Sequence, residues 1–382
     1  MRILKLIMAL AMAFTLLHCP QSADEGGAFL EGYLTGNMTA PEGEATEENV
    51  FTYGGTSSPG DLISWTVDRD NNTFFMQNMD SINGGWIYGS VQSFPTGFLK
   101  FTVSSSSFGD VPTNSQAYAL EVPGLVLFVH PINTDPGGTD TTSTDAPHLM
   151  ALAAVGNSCD TFPGEYNVAM VGYYPGIPEA DVMYADLTVS EPAVNSYALS
   201  LTPYQVSTQV AGTSDSGSLN CMGGSMFDVD PASNFFGFIS GSGALVIDLG
   251  SGQGGLIGFK AGDISAAAAN KTYTGIFSSY DEINGDEVAP VQASCNGFVC
   301  QGVPMNNVET GEVDTIEAAS VDLSGGFTNG LATGTVTDTS AGTFNVIATA
   351  YETGSKTVIY LTGWDPSKGT SGAPFGVFLV SQ

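Results

Sequence analysis

The sequence predicts an all-β protein built from two consecutive β-sandwich or β-barrel-like units, and three observations carry that expectation. Apolar residues come in short tracts rich in β-branched and aromatic side chains. The tracts are punctuated by 48 Gly and 19 Pro, together with Asn, Asp and Ser. Helical periodicity is nearly missing beyond the first residues, the best candidate being Ala266 to Ala269, shorter than the roughly 12 residues an isolated helix needs. Many short strands joined by tight turns hide their apolar faces against one another, which gives sandwiches or barrels. The chain of 382 residues is 42% hydrophobic and only 12% charged, with 22 Phe and 14 Tyr, so it can fill a large core.

In chain order, residues 1–18 read as a signal peptide: Arg2 and Lys5, then an apolar run from Leu6 to Leu17 that is short for a membrane span. The mature chain is therefore expected outside the cytoplasm. Leu16-Leu17-His18-Cys19 resembles the lipobox of bacterial lipoproteins, with His18 where that family takes Gly, Ala or Ser. The resemblance implies cleavage before Cys19, a diacylglyceryl group on its sulfur, and a lipid bilayer as partner. With Pro20 next, it also implies the outer membrane. The alternative is cleavage after Ala23 and secretion. Residues 19–50, with Glu42, Glu44, Glu47 and Glu48 and no apolar periodicity, read as an acidic flexible tether.

The first β-rich unit is expected over 51–200 and the second over 201–382. Strands are expected at Phe98 to Val103, Leu125 to Val129, Tyr166 to Val171, Ala244 to Leu249, Phe344 to Ala350 and Val358 to Leu361. An internal echo suggests a duplication. GTSSPGDL at 55–62 is answered by GTSDSGSL at 212–219. Val67-Asp68 before Phe74-Phe75 is answered by Val229-Asp230 before Phe235-Phe236. Asn133 to Asp145, acidic and rich in Gly, Thr and Ser, reads as an exposed loop.

Five cysteines are present, and a lipidated Cys19 leaves an even number for two disulfides in an oxidising compartment. Cys295 and Cys300 are close enough to clip a local turn, which leaves Cys159 with Cys221, a bridge expected to tie the end of the first unit to the start of the second. A zinc site is the rival, but C-x-x-C spacing is absent.

The chain carries 39 acidic and 8 basic residues, and losing Arg2 and Lys5 with the signal takes its net charge from −31 to −33. Arg69 is then the only arginine. Phosphate backbones need clustered Lys and Arg, so nucleic acid is excluded as a partner, and anionic membranes are disfavoured likewise. The acidity fits a saline habitat or cation binding. Asn284-Gly285 signals a hairpin that brings Asp281 and Glu282 near Asp286 and Glu287, a candidate calcium site; no other cofactor is expected. Trp65, Trp86 and Trp364, with Tyr173 and Tyr174, are candidates for a face that stacks on sugar rings, so a surface glycan or protein is a possible partner.

Ala244 to Gly255, through Asp248, Gly250, Gly252 and Gly254, resembles the glycine motif of methyltransferases that bind S-adenosylmethionine. In that family the glycines lead a strand into a helix. Here Leu256 to Gly262 reads as a second strand, so the segment is expected to be a hairpin. No G-x-S-x-G elbow is present, and a triad would have to recruit His130 or His148. The expectation is an exported, lipid-anchored envelope protein with a non-enzymatic binding or structural role, the alternative being an extracellular glycan-binding module or hydrolase. A membrane-spanning barrel is a third possibility, disfavoured by the lack of a terminal aromatic residue.

Overall fold

In the computed structural model the described residues are 49–382, apart from segments 58–60, 80–84, 110, 133–148, 157–158, 172–182, 194–195, 207–209, 224, 231–234, 250–254, 282–284, 315–317, 339–341, 355 and 368–372. The expected signal, Cys19 and nearly all of the tether lie outside them.

The chain closes three antiparallel up-and-down barrels of eight strands each. The first contains β1 (Val50–Ser57), β2 (Leu62–Asp68), β3 (Thr73–Asn78), β4 (Trp86–Ser93), β5 (Phe98–Ser106), β6 (Gln116–Val122), β7 (Val126–Ile132) and β8 (Met150–Ala154), which returns to pair with β1. The second runs through β9 (Gly164–Val171), β10 (Met183–Ala193), β11 (Ser196–Gln205), β12 (Asp215–Gly223), β13 (Met226–Asp230), β14 (Phe235–Ile239), β15 (Ala244–Asp248) and β16 (Gly255–Lys260), closed by β16 on β9. The third comprises β17 (Thr272–Asp281), β18 (Gly285–Asn296), β19 (Val299–Asn307), β21 (Ala319–Asp322), β22 (Leu331–Asp338), β23 (Gly342–Thr353), β24 (Lys356–Asp365) and β25 (Ala373–Ser381), closed by β25 on β17. A two-residue strand β20 (Glu312–Val313) hangs from β19 outside that ring. Closure leaves no ring with a free edge.

All six expected strand tracts coincide with strands, two of them overrunning by one residue, at Leu125 before β7 and Leu249 after β15. The count of units is finer than expected. Where two units were read, there are three barrels, and the junction placed at 200/201 lies inside β11. The echoing segments also occupy unequal places, since Val67 to Phe75 spans the second and third strands of the first barrel, whereas Val229 to Phe236 spans the fifth and sixth strands of the second. The links between barrels, Val155 to Pro163 and Ala261 to Lys271, look no different in sequence from hairpin loops. The helix candidate is a single 3-10 turn, Ala268–Asn270.

Side chains alternate between lumen and exterior, as a pleated strand dictates. Trp65, Phe74 and Phe101 pack ring to ring inside the first barrel, with Leu99, Leu127 and Leu152 around them. At one end of that lumen Glu121 accepts a hydrogen bond from the Tyr53 hydroxyl at 2.5 Å and pairs with Arg69, the only arginine of the folded part. An apolar lumen is the reverse of the polarity of a membrane-spanning barrel, whose apolar band faces outward.

The exteriors meet in one shared core. Phe98, Leu120, Val126, Phe128 and Ala151 of the first barrel join Met226, Phe238, Val246 and Phe259 of the second and Ile276, Tyr360 and Phe378 of the third. Phe128 stacks on Phe378 with centroids 4.4 Å apart. Strands at this junction are buried on both faces, which is why β7, β8, β15 and β24 contain unbroken apolar runs instead of alternation. Polar groups register the seams. Thr56 Oγ1 donates to Asp248 Oδ1 at 2.9 Å between the first two barrels, Thr274 Oγ1 donates to the Thr96 carbonyl at 2.9 Å between the first and third, and the Tyr360 hydroxyl donates to the Met170 carbonyl at 2.8 Å between the second and third.

Candidate site: a polar cleft between the second and third barrels

Because Tyr166, Val168, Ala185 and Leu187 turn into the second lumen, their neighbours Glu165, Asn167, Tyr184, Asp186 and Thr188 face outward. On β11 the same face carries Thr202 and Tyr204. Pairing sets Asp186 between Asn167 on β9 and Thr202 on β11, Tyr184 beside Tyr204, and Thr188 beside Glu165.

The two tyrosines stack with centroids 4.8 Å apart and an interplanar angle of 20°. Their hydroxyls converge on one carboxylate: Tyr184 donates to Asp186 Oδ1 at 2.8 Å and Tyr204 to Oδ2 at 2.9 Å. Burial, and then the hydrogen bond to Asp186, push the Tyr184 hydroxyl far above its ordinary pKa; the same hydrogen bond, and then burial, raise Tyr204. Both therefore stay protonated donors at neutral pH. Tyr184 continues into an apolar cluster with Val206, Ile347 and Trp364, which glues this face to the third barrel.

The opposite wall is a tight turn of the third barrel. Asn329 at φ 50° and Gly330 at φ 74° form a left-handed pair closed by hydrogen bonds between Thr328 and Leu331. A side chain on Gly330 would strike the Ala350 carbonyl oxygen at 2.7 Å, so only glycine lets the turn lie this close. The Asn167 side chain donates through Nδ2 to the Asn329 carbonyl at 2.7 Å and holds the two walls together. Between them is a cleft of about 400 Å³ lined by Glu165, Asn167, Asp186, Thr188, Thr202 and Asn329 among others, with no Lys, Arg or His among the described residues.

The residues singled out in the sequence lie elsewhere and apart. Trp65 is 3% exposed inside the first lumen, and Trp364 is 6% exposed between the second and third barrels. Trp86 is half-buried on the outer face of the first barrel, stacked on Phe75 at 6.4 Å. The three tryptophans share no face, because alternation sends one of them inward and barrel packing covers another. Tyr173, Tyr174 and His148 lie outside the described residues, and His130 sits in β7.

Asp281 ends β17 and pairs with Gly285, while Asp286 and Glu287 follow in β18 opposite Tyr280 and Ser279; Glu282 lies outside the described residues. Among the described residues no group of three His, Cys, Asp or Glu is placed to hold a metal. Both expected disulfides are present, Cys159–Cys221 and Cys295–Cys300. The first ties the lead into the second barrel to β12 of that same barrel, not one unit to another, because the barrel boundary precedes Cys159. The methyltransferase-like segment is the hairpin β15–β16, with Asp248 paired to Gly255 and bound by Thr56 at a seam.

The cleft residues were not read from the sequence. Glu165-Tyr-Asn and Tyr184-Ala-Asp-Leu-Thr show polar residues at every second position, the signal of an outward face, but nothing local says that a third barrel covers that face.

No family model and no curated protein matches the chain. Among solved structures it is similar to a point variant of transferrin-binding protein B, a vaccine antigen from Haemophilus parasuis, at 8% identity over 90% of this chain and 76% of that one, with a TM-score of 0.24. It is also similar to a DUF3598-family protein of unknown function from Nostoc punctiforme, at 9% identity over 88% and 96% of the two chains, with a TM-score of 0.22. No helix among the described residues is long and apolar enough to cross a membrane.

Proposed function

We propose that this chain is an exported, lipid-anchored scaffold of a bacterial cell envelope that binds a small polar ligand or a polar group of a partner without transforming it. The observation that carries the reading is the cleft between the second and third barrels. The lumens are filled with packed side chains, whereas this cleft of about 400 Å³ has polar walls on two rigid barrels, a size within the range of small-molecule sites. Export and anchoring rest on Arg2, Lys5, the Leu6 to Leu17 run and Cys19, together with two disulfides that need an oxidising compartment.

One observation favours glycan hydrolysis as a second reading. Glu165 and Asp186 are diagonal neighbours on adjacent strands, where such residues stand roughly 7–8 Å apart, a spacing compatible with paired carboxylates of inverting glycosidases. Asp186, however, receives a tyrosine hydroxyl on each oxygen, a fixed acceptor and not a group poised to shuttle protons.

Two measurements test the proposal. Cells producing the full chain should yield it in the detergent phase of a Triton X-114 partition, and Cys19→Ser should move it to the aqueous phase; wild-type protein in the aqueous phase contradicts the anchor. A thermal-shift screen of sugars, amines and amino-acid amides should find stabilisers of wild type that leave Thr202→Trp, which fills the cleft, unmoved. Release of product from any glycan would instead establish the hydrolase.

A further inference from the structure

We infer that the cleft recognises a cationic hydrogen-bond donor, an ammonium or guanidinium group, either of a small free molecule or of a Lys or Arg side chain on a partner protein. This rests on the cleft being the binding site and adds the chemical class of what it takes.

The donor and acceptor inventory is one-sided. Asp186 and Glu165 contribute carboxylates, and among the described residues no Lys, Arg or His lines the walls. An ionised carboxylate offers about four lone-pair positions; Asp186 spends two on Tyr184 and Tyr204 and keeps the rest. Those tyrosines point their only protons at Asp186, so they have none for a ligand. Asn167 supplies the independent observation. It is 5% exposed and lines the cleft, its Nδ2 is spent on the Asn329 carbonyl, and its Oδ1 has no donor among the described residues. That oxygen is not among the sealed, unpartnered polar atoms of the described residues, so it is an acceptor open to the cleft, and a group that binds it must be a donor. Thr188 and Thr202 add hydroxyls that can accept.

Charge points the same way. A chain of net charge −31 steers cations toward it and repels anions, and a cleft bordered by two carboxylates concentrates that field. A sugar would bring acceptors as well as donors to walls that offer few donors. Phosphates, sulfates and carboxylates would meet two like charges and no counter-charge.

The test is calorimetric titration of the mature full-length chain in detergent with N-acetyl-L-arginine amide, N-acetyl-L-citrulline amide, the peptide acetyl-Gly-Arg-Gly-amide and N-acetylglucosamine; acetylation leaves the guanidinium as the one cation of the arginine probes. The acetylated arginine amide should bind saturably at one site, and its neutral isostere, the acetylated citrulline amide, should bind at least about tenfold more weakly, a loss on the scale of one charge-assisted contact. Glu165→Gln, at an exposed position where the fold does not depend on the charge, and Asp186→Asn, which leaves an oxygen for the tyrosines, should each weaken arginine amide by about the same factor. Glu312→Gln, in β20, should change nothing. A peptide that binds more tightly than the amide assigns the cation to a partner protein; a peptide excluded while the amide binds assigns it to a free small molecule. Equal binding of citrulline and arginine amides, or affinity unchanged in both cleft variants, overturns the inference. N-acetylglucosamine binding that disappears in Thr202→Trp, with no arginine amide binding, overturns the cationic class while leaving the cleft as a binding site. Silence from all four probes counts against class and site together.

Discussion

Gly54 has no side chain because Phe238 occupies the space one would need: a Cβ there would lie 2.5 Å from the ring, which is itself fully buried between barrels. Gly54→Ala is therefore expected to cost about 1–3 kcal/mol by overpacking, and Phe238→Ala about 3–5 kcal/mol by cavity formation. The pair should cost less than the sum, since removing the ring makes room for the methyl. Urea denaturation of the two single variants and the double variant measures this; simple additivity would mean that the two residues do not meet. A second residue-scale outcome concerns tyrosine. Burial lifts Tyr166 and Tyr273 to about 12, and burial followed by the charge and hydrogen bond of Glu121 raises Tyr53 well above its ordinary value. Each folded pKa exceeds the unfolded value near ~10, so this stabilisation is complete below pH ~10 and is lost as the pH climbs through the folded values. Ultraviolet titration should show these phenols ionising only together with alkaline unfolding, and a single smooth wave near pH ~10 in the folded protein would contradict their burial.

At the scale of elements, the two disulfides close loops of very different length, with separations of 62 and 5 residues. On the chain-entropy model, Cys159→Ala with Cys221→Ala should cost roughly 4 kcal/mol and Cys295→Ala with Cys300→Ala roughly 2 kcal/mol. Denaturant midpoints of the two double variants check the order, and the reverse order would contradict the pairing. Cys295–Cys300 was legible because Cys295 and Cys300 are so close in sequence, and it does join facing positions of the β18–β19 hairpin. Strands were legible too, since β-branched and aromatic tracts between Gly and Asn turns have few other homes. What local pattern withheld was which faces are covered. Val126 to Val129 alternates between lumen and seam and is buried throughout, so its unbroken apolar run signalled a second covered face without saying what covers it. The cleft was missed for the same reason: Asn167 and Asn329 meet across barrels, a pairing without trace in either local sequence. Trp364, read as a sugar platform, became mortar between the same barrels.

Over the whole molecule, three closed rings share one apolar junction, and each barrel buries part of its exterior as well as its lumen. The two-unit reading fell short because eight short strands suffice to close a ring and the links between rings carry no compositional mark. Net charge acts at this scale as well. With 39 acids against 8 bases in the full sequence the chain repels itself, and screening shrinks from roughly 8 Å at physiological salt to about 3 Å at 1 M. The melting temperature should therefore rise between low salt and 1 M sodium chloride; a fall would show that attractive pairs, not repulsion, dominate.

The proposed role requires the chain to cross a membrane and remain tethered to one while its oxidised barrels face outward. Intact-mass spectrometry of the protein extracted from cell envelopes tests this most directly. The expected mass is that of a chain beginning at Cys19, heavier by a diacylglyceryl group and lighter by the four hydrogens of two disulfides. A mass that retains residues 1–18, or one without lipid and with four alkylatable thiols, would contradict it.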